Sequence, residues 1–366
     1  MDFRFTPDEL EVHRYARTSA RTHLPLSRLS DPATDVAAWA AFASDGWTQA
    51  CLGEDGPNDL PFLAGLAREV GALAGGEAFV HNGWLLPRLI MNAREPERAE
   101  WLAALSMRPG FLADSDRTAQ GDRVAAGRPG FETYRLEVGD GDEPRLHRLG
   151  PTTADFHALG GLSVQLGRAA PADHGGPAST LSLGAGLGAG LGADELADLR
   201  TGADVLRAAG LVGLAAEILA TTVAYVSERE QFGQVIGRFQ ALKHLCADVH
   251  TRVEVAWLAV LHAAVTPEDP LAVHSAAYLA ASTAMDAARV GAQLHGGMGF
   301  TWESNLHWLL KAALDGQLTT GPAGQVAQRI GALLVDQGVD QVVGQGVDQV
   351  VGQVVDRVPG RWAGRG

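Results

Sequence analysis

Apolar residues recur at helical spacing along the first 107 residues, broken by Gly and Pro at the segment edges. An apolar segment that begins at Trp84 continues through Pro87, which is expected to kink it. Thr6, Pro7 and Glu9 supply an N-cap, a proline at the first helical position and a capping box. The other predicted helices in this part cover 35–44, 61–73 and 96–105. Residues 1–107 therefore predict a small helical bundle.

The pattern changes between residues 108 and 200, where Gly, Pro, Asp and Thr surround short alternating runs at 134–138 and 162–166. Such runs are typical of strands, so we predict a small β domain inserted between helical parts. The glycine-rich stretch 182–192 superficially resembles a phosphate-binding loop. It lacks a flanking strand and helix in the required order and a Gly-Lys-Ser/Thr step, so we interpret it as a flexible connector.

Long helices return in residues 201–335, and several are apolar on more than one face. Such helices must be buried against other helices or a second subunit, which predicts a C-terminal four-helix bundle. The predicted helices cover 204–227, 239–265, 270–294, 303–314 and 324–335. In the last segment, 336–366, the octapeptide 338–345 recurs unchanged at 346–353, which indicates a low-complexity tail. The predicted fold class is mainly α with a small inserted β domain.

Composition excludes several classes of function for this chain of 366 residues. A net charge of -14 disfavours nucleic-acid binding and attachment to an anionic membrane surface, because both need a basic face. Charges and glycines interrupt the apolar runs, and the N-terminus lacks a signal-peptide core, so we expect a cytoplasmic protein that does not enter a membrane. Cys51 and Cys246 have no metal-type spacing and lie in apolar patterns, which favours buried free thiols and no metal site.

Two glycine-punctuated stretches, 228–240 and 293–303, interrupt the helical patterns of the C-terminal part. The first contains Arg229, whose planar fork of donors suits phosphate oxygens, next to glycines that allow backbone amides to come close. This combination is typical of a site for a phosphorylated cofactor. On its local features the stretch is equally consistent with an exposed loop carrying a solvated charge.

The order of parts and these two motifs resemble the acyl-CoA dehydrogenase family. Arg229-x-Gln231-Phe232-Gly233, followed by Phe239-Gln240, is similar to the family's first flavin-dinucleotide signature, and 293–301 with Trp302-Glu303 is similar to its second. The resemblance implies FAD lying across a subunit interface of a tetramer. It assigns Arg229, Phe232 and Gln240, with Gln231 in the same motif, to the pyrophosphate and adenosine. Gln293, Gly296 and Gly297 would contact the FAD of a neighbouring subunit. His295 and Glu303 are more simply interpreted as structural.

The family's reaction removes an α-proton from an acyl thioester while a β-hydride passes to the flavin, and it needs a carboxylate in a dry pocket. The resemblance places that carboxylate at one of two positions, which Thr320 and Ala203 occupy here. Asp204 is a candidate substitute base. The simpler interpretation of Asp204 is an acid near a helix N-terminus, favoured by the helix dipole, with Thr201 as the N-cap. The family's flavin-ring segments in the β domain are also replaced, at 111–116 and 147–151.

The favoured hypothesis is therefore an FAD-contributing subunit of a heteromeric acyl-CoA dehydrogenase, whose partner chain supplies the carboxylate. The stretch 299–311 is also similar to actinobacterial heteromeric members that act on bulky or steroid side-chain thioesters, which implies lipid or steroid metabolism. Three alternatives stay open: a homomeric dehydrogenase that uses Asp204, a flavin-dependent oxygenase, and a non-redox scaffold. The implied substrate is an acyl thioester of coenzyme A or a carrier protein, and electron-transfer flavoprotein is a possible acceptor.

Overall fold

The computed structural model describes residues 5–47, 51–52, 59–113, 131–138, 144–151, 179–183, 191, 193–301, 304–321 and 323–337. The predicted strand at 162–166, most of the glycine-rich connector and the repetitive tail lie outside these ranges. Within them, helical segments at both ends of the chain enclose a small sheet, as the sequence pattern predicts.

The N-terminal part is helical, and its first helix begins at the predicted capping box. Glu9 N donates to Thr6 Oγ1 over 3.2 Å, and Thr6 N donates to Glu9 Oε2 over 2.6 Å. Helix α1 is followed by a 3-10 turn, and π-helical turns follow α2 and α4. The helices are α1 (Pro7–His23), α2 (Pro32–Phe42), α3 (Leu60–Gly71), α4 (Gly76–Phe79), α5 (Leu86–Met91) and α6 (Glu97–Met107).

The π-helical turn Val80–Leu85 joins α4 to α5 and accounts for the irregularity that the sequence pattern assigned to Pro87. Pro87 itself lies in the first turn of α5, where a missing N–H costs no hydrogen bond. The distortion therefore lies one turn before the proline.

The middle part contains a four-stranded sheet of order β1-β2-β3-β4. Strand β1 (Gly110–Ala113) pairs in parallel with β2 (Glu132–Glu137). Strand β2 pairs antiparallel with β3 (Arg145–Pro151), which pairs antiparallel with β4 (Ser179–Ser182). Buried Leu146 and Leu181 pack with helices α5 and α6 through Leu89 and Trp101. The sheet is thus held against the N-terminal helices by its own apolar core.

The C-terminal part is a bundle of long helices. Helix α7 (Ala193–Glu228) leads into a two-stranded hairpin, β5 (Glu230–Gln231) and β6 (Gln234–Val235), and a 3-10 turn. The remaining helices are α8 (Gln240–Val265), α9 (Pro270–His295), α10 (Leu306–Thr320) and α11 (Ala323–Gln337). One apolar core runs from the N-terminal helices into this bundle, so the two helical parts pack as a unit.

Helix α7 begins at Ala193, well before its predicted start at Asp204. Thr201 and Gly202 resembled a helix boundary, but both lie inside the helix. The interpretation of Thr201 as an N-cap and of Asp204 as an acid near the helix N-terminus is therefore wrong, because the dipole effect is confined to the first turn.

Helices α3 and α7 touch through their backbones. A Cβ on Gly71 would overlap the carbonyl oxygen of Gly210, and a Cβ on Gly213 would overlap that of Arg68. Glycine therefore sets how closely the N-terminal part and the bundle approach each other; we call this contact the glycine seam.

Helix α7 is also apolar enough, by length and composition, to cross a membrane, contrary to the expectation that charges and glycines rule this out. Its segment Asp194–Glu228 contains a window of mean hydropathy 1.7, of which 56% is buried within the chain. The core helix of a soluble protein can have the same length and apolar composition. Its position between α3, α8, α9 and α10 accounts for this composition.

Candidate functional site

The first glycine-punctuated stretch folds as a tight hairpin at the end of α7. Its two-residue loop is Phe232-Gly233, with φ of 54° and 74°, and positive φ at both central positions is the geometry of a type I′ turn. Ile236 N donates to Arg229 O over 2.8 Å and closes the hairpin. A phenylalanine rarely adopts such a backbone conformation, and such strain is concentrated at functional sites.

Phe232 projects from this hairpin and is 88% exposed. Its ring meets Phe239 edge to face, with centroids 6.1 Å apart. A large apolar side chain that is both strained and exposed contributes little to the core of a single chain. It is available to a ligand or to another subunit.

The second stretch lies where α9 ends. Gly296 has φ 57° and begins the 3-10 turn Gly296–Phe300, and Gln293 is exposed on the last turn of the helix. A Cβ added to Gly296 or Gly297 would meet no other atom within 4 Å. The positive φ at the end of α9 accounts for Gly296. Packing within the chain does not explain Gly297, but the approach of a bulky group to the backbone would.

A ring stack holds the ends of α7 and α9 together. Tyr225 and His295 lie face to face with centroids 4.3 Å apart, and Arg229 N donates to Tyr225 O one turn later. His295 Nδ1 donates to Gly291 O over 2.9 Å, and burial lowers the pKa of its imidazole. His295 therefore has the structural role expected from the sequence, and it brings the two motifs close in the same chain.

Every residue that the resemblance assigns to FAD is exposed. Among the described residues, the Arg229 guanidinium has no hydrogen-bond or ion-pair partner. Free guanidinium and amide groups beside open glycines fit an anionic dinucleotide, since they offer paired donors and room for close approach. The set comprises Arg229, Gln231, Phe232, Gln240, Gln293, Gly296 and Gly297.

The two positions to which the resemblance assigns the base carry no titratable group. Ala203 is 3% exposed within α7. Thr320 is the last residue of α10, and its hydroxyl donates to Gly316 O over 2.8 Å. Gly321 follows with φ 105° and ends the helix. Neither side chain can remove a carbon-bound proton.

Asp204 is engaged by a neighbouring cation. Arg207 NH1 donates to Asp204 Oδ1 over 2.7 Å, while Arg207 Nε and NH2 donate to the two carboxylate oxygens of Glu77, each over 2.7 Å. The side chain of Asp204 is 29% exposed. A base for α-proton abstraction needs a dry pocket and a free oxygen directed at the substrate, so this arrangement disfavours Asp204 in that role.

Glu77 is the centre of a polar link that the sequence did not reveal. Burial alone would raise the pKa of Glu77, but the charge and hydrogen bonds of Arg207, with a contribution from His81, hold it well below its usual range. His81 Nε2 lies 3.2 Å from Glu77 Oε1, and Leu112 N donates to His81 Nδ1 over 3.1 Å. The link therefore joins strand β1, the N-terminal helices and α7. Arg207 stands three residues after Asp204, a spacing that could have indicated their pairing.

Trp84 is a second residue that sequence analysis did not assign to the site. Its indole Nε1 donates to Leu199 O over 2.8 Å, and a Cβ on Gly202 would overlap the ring. The Arg88 guanidinium lies 3.6 Å from the indole centroid. Trp84 thus covers the turn of α7 directly before Ala203.

The remaining candidates separate into residues inside and outside the described ranges. Glu303 and the replaced flavin-ring residues 114–116 lie outside them. Cys51 is a buried free thiol, as expected, and burial raises its pKa to about 12. Cys246 is also free but only partly buried. Among the described residues, no cluster of three or more His, Cys, Asp and Glu side chains could hold a metal ion.

Residues 203–332 match the sequence model of the acyl-CoA dehydrogenase C-terminal domain. The C-terminal helical bundle is thus similar to the C-terminal domain of acyl-CoA dehydrogenases. Both glycine-punctuated motifs, as well as Ala203 and Thr320, fall inside the matched region.

Curated acyl-CoA dehydrogenases match about a third of this chain. FadE34 of Mycobacterium tuberculosis is 42% identical over 132 residues, which are 34% of this chain and 19% of FadE34. IpdE2 of the same organism is 44% identical over 112 residues, 30% of this chain and 35% of IpdE2. The matched region therefore spans about a fifth to a third of these relatives.

Solved structures extend the likeness to the whole fold. The ChsE4-ChsE5 complex from Mycobacterium tuberculosis matches 92% of this chain and 99% of its own, at 20% identity and a TM-score of 0.67. The Tcur3481-Tcur3483 steroid acyl-CoA dehydrogenase covers 91% of this chain and 99% of its own, with 20% sequence identity and a TM-score of 0.67. Butyryl-CoA dehydrogenase from Megasphaera elsdenii covers 92% of this chain and 100% of its own, with 18% sequence identity and a TM-score of 0.68. The chain has the acyl-CoA dehydrogenase fold, which confirms the predicted fold class.

Proposed function

We propose that this chain is the FAD-contributing subunit of a heteromeric acyl-CoA dehydrogenase, and that a second chain of the same fold supplies the catalytic carboxylate. One contrast supports the proposal. The residues assigned to the dinucleotide are exposed, and the Arg229 side chain has no partner among the described residues. In contrast, Ala203 and Thr320 occupy the positions that the resemblance assigns to the catalytic base.

The dinucleotide side of the proposal rests on charge and access. Arg229 would pair with the diphosphate oxygens of one FAD. The open backbone at Gly296 and Gly297 would let the FAD of a neighbouring subunit approach, and Gln293 would satisfy its polar edges. FAD, when bound, supplies the acceptor for the hydride that leaves the β-carbon. Exposed Phe232 would cover an apolar part of the cofactor or of the neighbouring subunit.

The catalytic side of the proposal follows from what these side chains cannot do. An alanine and a threonine cannot accept the α-proton of a thioester, and Asp204 is paired with Arg207. In this proposal, a carboxylate of the partner chain therefore accepts the α-proton. Such a partner would also provide the β-domain contacts to the flavin ring that are replaced in this sequence.

Two of the similar structures support a heteromer with a large apolar substrate. One similar structure is the ChsE4-ChsE5 complex and another is described as a steroid acyl-CoA dehydrogenase. We infer an acyl thioester of coenzyme A or a carrier protein as substrate, electron-transfer flavoprotein as a candidate acceptor and the cytoplasm as the compartment.

Co-expression with the acyl-CoA dehydrogenase-like chains encoded beside this one tests the proposal. The chain alone is expected to purify with little flavin. The co-purified complex should show the flavin absorbance bands, and these should bleach anaerobically on addition of a thioester substrate. Substitution of the partner's carboxylate should abolish the bleaching and leave the flavin bound.

Other outcomes would replace the heteromer with one of the alternatives. Flavin that binds to the chain alone and bleaches with thioester would support a homomer. Flavin that turns over only with a reductant and oxygen would support an oxygenase. A chain that stays colourless with every partner would support a scaffold.

A further inference from the structure

We propose that Trp84 closes this chain's own acyl pocket, so that thioester binding in the complex is confined to the partner's pocket. The inference rests on the proposed function and adds a specificity-determining residue to it.

The Trp84 indole lies against the turn of α7 that precedes position 203. The resemblance assigns a catalytic carboxylate to position 203, so in the proposed function a thioester in this chain's own pocket would lie against this turn, which contains Leu199, Gly202 and Ala203. The indole covers that turn through its hydrogen bond to Leu199 O and its contact with the Gly202 backbone. Ala203 and Trp84 are only 3% and 9% exposed and belong to the same apolar core.

The indole is also held by Arg88. Arg88 stacks on the ring at 3.6 Å and donates to Cys51 O over 3.2 Å through NH2. Arg88 is half-buried, and a cation on an aromatic face binds more strongly as it loses water. Together with the contacts to Leu199 and Gly202, this stack holds the Trp84 ring in place, so it is a fixed closure and not a mobile gate.

Gly202 and Trp84 form a matched pair. Glycine in a helix interior is unfavourable by about 0.5–1 kcal/mol relative to alanine, so its presence in α7 needs a cause. The indole is that cause, because any Cβ at this position would overlap it. Removing the ring should therefore leave an indole-sized apolar space beside position 203.

Ligand binding to the full-length chain tests the closure. We would compare wild type, Trp84→Gly and the control Trp257→Gly, since Trp257 is also 9% exposed and also stacks with an arginine, Arg68. The probes are indole and octanoyl-coenzyme A, read as shifts of the thermal midpoint. Both should raise the midpoint of Trp84→Gly by about 2 °C or more. Only indole should raise that of Trp257→Gly, and neither should affect wild type. A Trp84→Gly chain that binds indole but not the thioester would overturn the inference.

Photoaffinity labelling of the wild-type complex needs no variant, so it tests the closure even if Trp84→Gly does not fold. The wild-type complex with its partner is exposed to a photoreactive octanoyl-coenzyme A analogue, and the labelled peptides are mapped by mass spectrometry. Label should fall on the partner and be absent from 199–206 of this chain. Label on 199–206 in wild type would overturn the closure while leaving the heteromer intact, whereas a colourless complex would overturn the proposed function itself.

Discussion

At the scale of single residues, Arg229 is the most direct test of cofactor binding. Its guanidinium is exposed and without a partner among the described residues, so its removal breaks no internal contact. We expect Arg229→Ala to weaken flavin retention in the co-purified complex by about 10- to 100-fold, because a charge-assisted hydrogen bond contributes about 1.5–3 kcal/mol.

Arg14→Ala is the matched control for Arg229→Ala, since Arg14 is an exposed arginine on α1. Flavin content per chain, measured by absorbance after dialysis, should fall only in Arg229→Ala. Equal retention in both variants would remove Arg229 from the cofactor site.

Gly202 tests the packing of the Trp84 indole on α7. The extra methyl group of Gly202→Ala would overlap the ring, and overpacking of a core costs about 1–3 kcal/mol. Gly331→Ala in α11 is the control, because a Cβ there meets no atom within 4 Å and should stabilise the helix by up to about 1 kcal/mol. Denaturant unfolding should therefore show changes of opposite sign. A stabilising Gly202→Ala would contradict the contact.

At the scale of elements, the Glu77–Arg207 pair ties α4 to α7. The two carboxylate oxygens each accept a 2.7 Å hydrogen bond, and the side chains are 20% and 10% exposed. Removing one partner leaves the other charge without compensation, so Arg207→Met should cost about 3 kcal/mol. The double variant Glu77→Gln/Arg207→Met should cost less than the sum of the single variants. Additive losses in urea unfolding would show that the two side chains are not coupled.

The same pair gives a pH dependence with a definite sign. The pKa of Glu77 is lowered in the folded chain, so its contribution to stability is fully present above its unfolded value of about 4.5. That contribution is lost as the pH falls towards the folded value. The stability difference between wild type and Glu77→Gln should therefore be constant from pH 7 to 6 and shrink from pH 5 to 3. A difference that grows on acidification would contradict the assignment.

The sequence predicted most elements because their signals are local. The capping box at Thr6 and the prolines and glycines at helix ends lie within a turn of the boundaries that they mark. The start of α7 was predicted wrongly, because Gly202 resembles a helix boundary unless Trp84 is known to lie on it. Likewise, nothing near Asp204 indicates that Arg207 is held by Glu77. Local chemistry was accessible from the sequence, whereas contacts between distant segments were not.

At the scale of the whole molecule, the proposed function makes the chain one half of a catalytic arrangement. In that proposal it supplies the dinucleotide motifs, while Ala203 and Thr320 leave the two assigned base positions without a carboxylate. We therefore expect one flavin for every two chains in the complex with its partner. Native mass spectrometry and flavin absorbance would measure this ratio. A ratio of one flavin per chain would mean that this chain's own pocket also binds the cofactor.

The glycine seam between α3 and α7 has a consequence for how such chains evolve. Because a Cβ on Gly71 or Gly213 would overlap a backbone carbonyl of the facing helix, no larger residue can replace either glycine without separating α3 and α7. The seam therefore depends on folding and not on catalysis. Glycine at these two positions should be found in chains of this fold whether or not they carry a catalytic base.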